Sequence, residues 1–303
     1  MGLFECIGYR RRWQVLGYFR KAKISDFAPI VVGGCGASGT TLLRATLNAH
    51  PDIAAGPEST VFLRRISSPH TIAERFDLSS AAVERLLRTS RSQIDFIERF
   101  AELCLGRRQK SVWADKTPEN VGRLDFIFRH FPRAKFIHVV RDGRDVICSL
   151  RTQPWMKLAA DKRQSPAGLL DCADYWARRV DAGLSHRGDP RYAEVRYEDI
   201  VQKTETTLRH LLAFVGVPWT DAVLDRAYVN RHLAEEEGAP ASRAGGPLFN
   251  SSIGRWRREL TADSIRLVAP ALAPTLGKLG YIAMPGADDH DNCALETAVG
   301  YGD

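Results

Sequence analysis

A glycine-rich segment between an apolar run and a helix-forming run constrains the fold of this chain more than any other feature. Residues 34–41, GCGASGTT, follow the apolar residues 29–32 and lead into a helical pattern over residues 40–48. Backbone N–H groups in such a turn and the positive end of the helix dipole converge on one point and attract an anion. We therefore predict a phosphate-binding loop, with a plain glycine-rich turn as the alternative. Its candidate ligands are Gly36, Ala37, Ser38, Gly39, Thr40 and Thr41.

One residue of this loop departs from the nucleotide-binding P-loop pattern GxxxxGK[ST]. Thr40 occupies the position of the lysine that reaches the β- and γ-phosphates of a nucleoside triphosphate. A nucleoside triphosphatase or kinase without that lysine lacks a main contact to the β- and γ-phosphates of its substrate. The loop therefore favours a different anionic group, and a P-loop nucleotide kinase is kept as an alternative function.

Short apolar runs alternate with longer helical patterns along most of the chain. Candidate strands cover residues 29–32, 135–140 and 192–197, and each precedes a helical pattern. This alternation is typical of parallel strands joined by helices. We predict an α/β fold with a P-loop-like central parallel β-sheet flanked by helices on both faces, and with helical insertions near residues 70–105 and 165–186.

The predicted domain covers residues 28–284. A basic extension, residues 1–27, precedes it, and an acidic tail, residues 285–303, follows it; we predict that the tail is disordered. Within the extension, residues 9–23 combine basic side chains with large apolar ones, which suits weak contact with an anionic membrane surface. We favour the alternative of a solvated helix packed against the domain.

Net charge and cysteine content indicate which partners and which cellular compartment suit this chain. The formal net charge of +7 is modest for 303 residues, and the basic residues are spread along the chain, which argues against nucleic-acid binding. The six cysteines lack a CxxC pair and a histidine at zinc-ligand spacing, so we predict free thiols in a reducing compartment and no metal site. Because no apolar run reaches about 18 residues and no secretory signal is recognised, we predict a cytoplasmic protein.

A second anion-binding element follows the candidate strand at residues 135–140. Arg141 stands at the carboxyl end of that strand, where parallel sheets bind ligands, and Ser149 lies on the following helix. An arginine fork and a nearby hydroxyl can satisfy the oxygens of a phosphate that is not in line with the first. The 3'-phosphate of an adenosine nucleotide is such a group. The alternative is a structural ion pair between Arg141 and Asp145.

Together these motifs resemble the sulfotransferases that use 3'-phosphoadenosine-5'-phosphosulfate (PAPS), and most closely the tyrosylprotein sulfotransferases. The similarity runs from about residue 30 to residue 283, and its separate motifs recur in the family's order. The matching segments are GGCGASGTTLLRATLNAHPDIAAGPEST (33–60), ADKTPENVGRLDFIFRHFPRAKFIHVVRDGRDVICSL (114–150), AEVRYEDI (193–200), FVGVPW (214–219), SIGRWRREL (252–260) and LAPTLGKLGY (272–281).

The resemblance implies a function and a set of site residues. The chain would move a sulfuryl group from PAPS to an acceptor hydroxyl, on a peptide tyrosine, a small molecule or a glycan, and release 3',5'-adenosine bisphosphate (PAP) without a metal. Glu58 aligns with the family's general base, and Lys116 with a lysine that stabilises developing charge. Ser38, Gly39, Thr40 and Thr41 would bind the 5'-phosphosulfate, Arg141 and Ser149 the 3'-phosphate, and Tyr197 and Arg255 would complete the nucleotide site.

One departure from the family pattern lies in the loop itself. Ala37 stands where the family has a basic residue, so Arg44 or Lys116 would have to supply the missing contact to the phosphosulfate. Loss of one preorganised donor costs about 100-fold or more in rate. A catalytically impaired protein that binds PAP or PAPS is therefore a further alternative.

Other departures lie near the acceptor and the 3'-phosphate. Thr60 replaces an arginine on the acceptor side, whereas Arg64 keeps the next one. Gln153 replaces an arginine of the 3'-phosphate site, for which Arg151 is the nearest substitute. The donor is therefore better defined than the acceptor. Residues 242–250 would fold over the nucleotide, and a homodimer remains an open prediction.

Overall fold

Five short strands form one parallel sheet at the centre of the molecule. The computed structural model describes residues 24–153, 156, 165–237 and 250–281. The strands are β1 (Ile30–Gly34), β2 (Ile53–Ala55), β3 (Val112–Lys116), β4 (Lys135–Val140) and β5 (Tyr192–Arg196). They lie in the order β2-β3-β1-β4-β5, and every neighbouring pair is parallel. The predicted parallel sheet is confirmed, and β2 and β3 are strands that the sequence patterns did not indicate.

Helices connect these strands and form both predicted insertions. The α-helices in the described part of the chain are α1 (Thr40–Asn48), α2 (Pro69–Phe76), α3 (Ser80–Thr89), α4 (Gln93–Arg108), α5 (Leu124–His130), α6 (Gly143–Leu150), α7 (Pro166–Leu184), α8 (Tyr197–Gln202), α9 (Thr204–Val215), α10 (Arg226–Glu237), α11 (Trp256–Glu259) and α12 (Ala262–Lys278). Short 3-10 helices cover Pro118–Arg123, Asp221–Leu224 and Asn250–Ser252. The first insertion consists of α2, α3 and α4, and the second is α7.

Both faces of the sheet are covered. Consecutive residues of a strand point to opposite sides, so Ile30 and Val32 of β1 pack in one apolar cluster while Val31 packs in another. The first cluster contains apolar residues of α1, α8 and α9, and the second contains residues of α4 and α5. Strands that are buried on both faces need near-continuous apolar runs. The predicted arrangement of helices on both faces is confirmed.

Some element boundaries differ from those expected. Strand β1 covers Ile30–Gly34, where residues 29–32 were expected. The helix expected from residue 118 begins as the 3-10 helix Pro118–Arg123 and becomes α-helical at Leu124. The tighter winding brings the Asn120 side chain onto Asp115 of β3, to which its amide donates a hydrogen bond of 2.6 Å. The third predicted strand ends one residue early, at Arg196.

Some predictions fall outside the described residues. They concern the basic segment 9–23, residues 242–249 of the segment expected to cover the nucleotide, and the acidic tail 285–303. The domain boundaries at residues 28 and 284 therefore stay predictions. Within the described part of the chain, no helix is long and apolar enough to cross a membrane.

The cysteines in the described residues are buried free thiols. They are Cys35, Cys104, Cys148 and Cys172. Burial raises the pKa of Cys104 to about 12 and the pKa of Cys148 to about 11. Both thiols are therefore protonated at neutral pH and are poor nucleophiles. For these four residues, the predicted free state is confirmed.

His138 on β4 makes folding sensitive to acid. Its side chain is fully buried, and its Nδ1 lies 2.6 Å from the Tyr192 hydroxyl. Burial lowers the pKa of His138 from 6.5 to about 4. The unfolded chain therefore takes up a proton before the folded chain does, and stability is lost as the pH falls from 6.5 towards 4. At about 1.36 kcal/mol per pKa unit, we expect this residue to lower the unfolding free energy by ~3 kcal/mol.

Urea denaturation between neutral pH and about pH 4 measures this loss. The matched variant is His138→Gln, whose amide can still hydrogen-bond to Tyr192 but does not titrate. We expect the wild type to lose more stability than this variant over the same pH range. Equal pH dependence in the two proteins would show that His138 does not carry the effect.

Candidate functional site

The glycine-rich loop lies at the carboxyl end of β1, between β3 and β4, where parallel sheets bind ligands. A cleft of about 680 Å³ opens there. All predicted site residues except Ser38, Lys116 and Arg255 line this cleft. Its walls are formed by Gly36, Ala37, Gly39, Thr40, Thr41, Leu42, Glu58, Arg75, Pro118, Glu119, Arg141, Ser149, Gln153, Tyr197, Leu233 and Ser252.

Helix α1 begins at this cleft without a side-chain cap. Its N-cap residue, Gly39, has a φ of 92°, in the left-handed region that glycine adopts without strain. A Cβ at this position would also collide with the Tyr197 ring. The first N–H groups of a helix have no acceptor within the helix. Those of Thr40 and Thr41 can therefore bind an anion in the cleft that these residues line.

Ser38 occupies a different place from its neighbours in the loop. Its side chain is fully buried and lies outside the cleft lining. Its N–H donates to the Cys35 carbonyl at 3.2 Å. Ser38 therefore lies beneath the cleft surface, and its contact with a phosphosulfate stays a prediction.

The loop lacks a basic side chain at Ala37, and the two expected substitutes differ in position. Arg44 is buried and does not line the cleft. Burial raises the pKa of the Tyr228 hydroxyl, and the positive charge of Arg44 partly offsets that rise. Arg44 is thus poorly placed to replace a basic residue in the loop. Lys116 is better placed, because its Nζ lies 3.3 Å from Thr41 Oγ1 at the start of α1.

Arg141 joins the loop to the segment that precedes α11. Its Nη1 donates to the Ala37 carbonyl at 3.0 Å, and its Nη2 donates to the Ser252 carbonyl at 2.5 Å. Its guanidinium also stacks over the Tyr197 ring, 4.5 Å from the centroid. Asp145, the partner in the alternative ion pair, instead accepts hydrogen bonds from backbone N–H groups. The cleft position of Arg141 therefore agrees with a role in anion binding.

Ser149, which lines the cleft, is hydrogen-bonded to Arg255. Arg255 Nη1 donates to Ser149 Oγ at 3.0 Å. Arg255 Nε and Nη2 donate to the two carboxylate oxygens of Glu259, at 2.8 and 3.0 Å. These three bonds use three of the five N–H groups of the guanidinium. Since Ser149 Oγ accepts from Arg255, its own proton can be donated to a ligand oxygen. These two residues are therefore candidates for a second anion-binding position.

Glu58 and Lys116 form an ion pair where the loop meets α1. Lys116 Nζ lies 3.0 Å from Glu58 Oε1. The lysine is the last residue of β3, and its side chain is 4% exposed, against 38% for Glu58. A carboxylate, an ammonium group and the Thr41 hydroxyl are therefore brought together from three separate parts of the sequence.

The sequence of the chain matches that of a known family. The model of the sulfotransferase family matches residues 29–221. The chain belongs to the sulfotransferase family. It is 28% identical over 269 residues to protein-tyrosine sulfotransferase 1 of Danio rerio, which covers 84% of this chain and 73% of the relative. It is 25% identical over 281 residues to nodulation protein NoeE of Sinorhizobium fredii, which covers 82% of this chain and 64% of that protein.

Solved structures share the fold of this sulfotransferase. The sulfotransferase domain from the curacin biosynthetic pathway has a TM-score of 0.59 at 20% identity, covering 86% of this chain and 100% of the domain. A mouse sulfotransferase complexed with PAP has a TM-score of 0.53 at 15% identity, with 88% of each chain covered. The predicted family, the P-loop-like α/β fold and the class of reaction, sulfuryl transfer, are confirmed.

A buried hydrogen-bond network holds the Glu58 segment of the sulfotransferase against β3. The buried carboxylate of Asp115, the neighbour of Lys116, accepts hydrogen bonds from Ser59 and Asn120. Burial raises the pKa of Asp115, which these bonds partly offset. Thr60, with a left-handed φ of 61°, donates its N–H to the Thr117 hydroxyl at 3.2 Å. The network thus fixes the turn that follows the candidate base relative to the candidate cation.

The structure also adds Arg75, which the sequence reasoning missed. Arg75 lies in the last turn of α2, lines the cleft and donates from Nη1 to the Glu58 carbonyl at 2.9 Å. No local motif marks it, because the contact joins an inserted helix to a turn 17 residues earlier in the chain.

Arg64, the arginine expected on the acceptor side, is exposed. Burial, together with the positive charge of Arg64, lowers the pKa of Arg123.

The expected substitution of Arg151 for the family arginine at position 153 is not seen. Gln153 lines the cleft, whereas Arg151 Nη2 lies 3.4 Å from Glu259 Oε2. Glu259 therefore binds both Arg151 and Arg255. Arg151 acts behind Arg255 and does not itself line the cleft.

Proposed function

We propose that this sulfotransferase moves the sulfuryl group of PAPS to an acceptor hydroxyl, with Glu58 as the general base. The observation that supports this most is the contact of Lys116 Nζ with both Thr41 Oγ1 and Glu58 Oε1. It brings a base and a cation to the end of the anion-binding loop. A hydroxyl placed beside Glu58 therefore lies next to a group held by that loop.

The cleft residues fit a nucleotide that carries anionic groups at two positions. The N–H groups of Thr40 and Thr41, at the start of a helix without a side-chain cap, suit the 5'-phosphosulfate. Arg141 and the Ser149 hydroxyl suit the 3'-phosphate, because a guanidinium and a free O–H proton both donate to phosphate oxygens. Tyr197 also lines the cleft, and its ring lies against Gly39 of the loop and under the Arg141 guanidinium.

The residues have distinct roles in the proposed transfer. Glu58 accepts the acceptor proton as the acceptor oxygen forms its bond to sulfur. The bond between sulfur and the 5'-phosphate oxygen breaks in the same displacement, and PAP leaves with the electron pair. Lys116, buried and already oriented, stabilises the charge on the bridging oxygen.

The acceptor is proposed as a hydroxyl of one of two kinds. A peptide tyrosine has support from relatives named protein-tyrosine sulfotransferases, which are 28% identical or less to this chain. A small-molecule or glycan hydroxyl has support from Thr60, which stands in place of a family arginine on the acceptor side. A cytoplasmic location, a homodimer and membrane contact through residues 9–23 also stay predictions.

Two alternatives are separated from this proposal by binding and transfer experiments. Calorimetry with PAP and with ATP–magnesium distinguishes the sulfotransferase from a P-loop kinase; tight binding of ATP–magnesium without binding of PAP would favour the kinase. A catalytically impaired nucleotide-binding protein is suggested by Ala37. Transfer of labelled sulfate from PAPS to any acceptor would remove that alternative.

Arg141→Ala is expected to weaken PAP binding by ~1.5–3 kcal/mol, the range for hydrogen bonds to charged groups. The guanidinium is central to the site, because it binds the Ala37 and Ser252 carbonyls and stacks on Tyr197. Calorimetric titration with PAP measures the effect. Arg133→Ala, at an exposed position beyond the opposite end of β4, is the control. If both variants bind PAP as the wild type does, Arg141 has a structural role instead.

A further inference from the structure

One carboxylate holds the backbone on both sides of Arg255. Asp145 lies on α6 and is 1% exposed. Its Oδ2 accepts the N–H of Gly254 at 2.8 Å, and its Oδ1 accepts the N–H of Trp256 at 3.0 Å. Both oxygens are thus engaged by the two residues that flank Arg255. Hydrogen bonds to an ionised acceptor are stronger than those between neutral groups.

The two hydrogen bonds to Asp145, here called the backbone clamp, fix the main chain on both sides of Arg255. Glu259 fixes the orientation of the Arg255 side chain. Glu259 binds Nε and Nη2 of Arg255, which leaves Nη1 directed at Ser149 Oγ, 3.0 Å away. Gly254 has a φ of 67°, a left-handed conformation that allows the chain to turn before Arg255. The guanidinium is therefore held in one orientation before any ligand arrives.

We propose that Asp145 is a positioning residue that gives this sulfotransferase its selectivity for a 3'-phosphorylated nucleotide, acting through Arg255. The inference rests on the proposed function, because it assigns the Arg255 and Ser149 end of the cleft to the 3'-phosphate. Asp145 does not itself contact the nucleotide. Its role is to keep Arg255 close enough to Ser149 that both can donate to one phosphate group.

Asp145→Asn tests the clamp with little change in side-chain volume. An asparagine offers one oxygen, so it can accept from Gly254 or from Trp256, while its NH₂ group faces the other N–H. One of the two bonds is lost, and the segment that carries Arg255 loosens. The change acts on the segment that carries Arg255, and we expect the 5'-phosphosulfate end of the cleft, which Thr40 and Thr41 line, to stay unchanged.

The measurement is calorimetric affinity for PAP and for adenosine 5'-phosphate, which lacks the 3'-phosphate. In Asp145→Asn we expect PAP to bind about 10-fold more weakly, the lower end of the range for a bond to a charged group. Affinity for adenosine 5'-phosphate should stay unchanged. In Arg255→Ala the same selective loss is expected, and the double variant should be no worse than Arg255→Ala alone, because both substitutions remove one function.

Asp181→Asn is the matched control, since Asp181 binds Lys278 and Thr275 at the α7–α12 contact. Equal weakening of both nucleotides in Asp145→Asn, or additive losses in the double variant, would overturn the proposal. If Asp145→Asn fails to fold, Arg255→Ala is the deciding variant. An unchanged ratio of its affinities for PAP and adenosine 5'-phosphate would show that Arg255 does not recognise the 3'-phosphate, and would overturn the proposal. A wild type that does not prefer PAP to adenosine 5'-phosphate would instead overturn the proposed function.

Discussion

Glu58→Gln is expected to reduce turnover by about 100- to 10,000-fold, the usual contribution of a general base, and to leave PAP affinity unchanged. Glutamine has the shape of glutamate and keeps an oxygen for the contact with Lys116 Nζ, 3.0 Å in the wild type. It cannot take up the acceptor proton. Single-turnover transfer of labelled sulfate gives the rate, and calorimetry gives the PAP affinity.

The cleft supplies a control of the same chemical type for this variant. Glu119 also lines the cleft and lies on the 3-10 helix that follows β3. Glu119→Gln should keep most of the activity, because no proposed step uses this carboxylate. If Glu58→Gln retains the wild-type rate, another group removes the acceptor proton.

Lys116→Met is expected to lower the transfer rate by about 100- to 1000-fold, the cost of removing one preorganised donor from a reacting oxyanion. Lys116 is buried, and its ammonium group contacts both Thr41 and Glu58. Methionine fills most of the same volume without a charge. The loss should appear in kcat, since the cation acts where charge develops during the reaction.

Lys135→Met provides the comparison for this second substitution. Lys135 begins β4 at the amino-terminal edge of the sheet, opposite the edge that carries the cleft, and it donates to the Pro190 carbonyl. The same substitution there should leave kcat unchanged. A Lys116→Met variant with normal kcat and raised KM would mean that the lysine binds the donor without stabilising the transition state.

The sequence predicted best those elements in which local pattern and fold agree. Helix α1 was expected over residues 40–48 and is observed over Thr40–Asn48. Strand β4 was expected over residues 135–140 and is observed over Lys135–Val140. Both follow or precede a glycine-containing turn, and their apolar residues are buried as the pattern requires.

The sequence pattern did not indicate strand β3, because two charged residues of the site interrupt its apolar run. Its sequence, VWADK, ends in Asp115 and Lys116, two charged residues at buried positions. Their burial is tolerated because Ser59 and Asn120 bind the aspartate while Glu58 binds the lysine. None of these partners is local to the strand pattern. Strand β2 was missed for a simpler reason, since it has three residues.

Some residues of the candidate site were predictable from the local sequence pattern, and others were not. The phosphate loop and Arg141 could be argued from the position of glycine, hydroxyl and arginine residues around strands. Glu58 could be assigned only through the family resemblance, because a glutamate in a turn has no distinctive spacing. Arg75 escaped both arguments, since it reaches the cleft from an inserted helix.

Transfer of labelled sulfate from PAPS tests the proposed function most directly. The acceptors to screen are tyrosine peptides, phenols, glycans and lipids. We predict a labelled product with at least one class of hydroxyl acceptor, formed by the wild type and lost in Glu58→Gln. Absence of transfer to every acceptor, together with binding of ATP–magnesium and no binding of PAP, would contradict it.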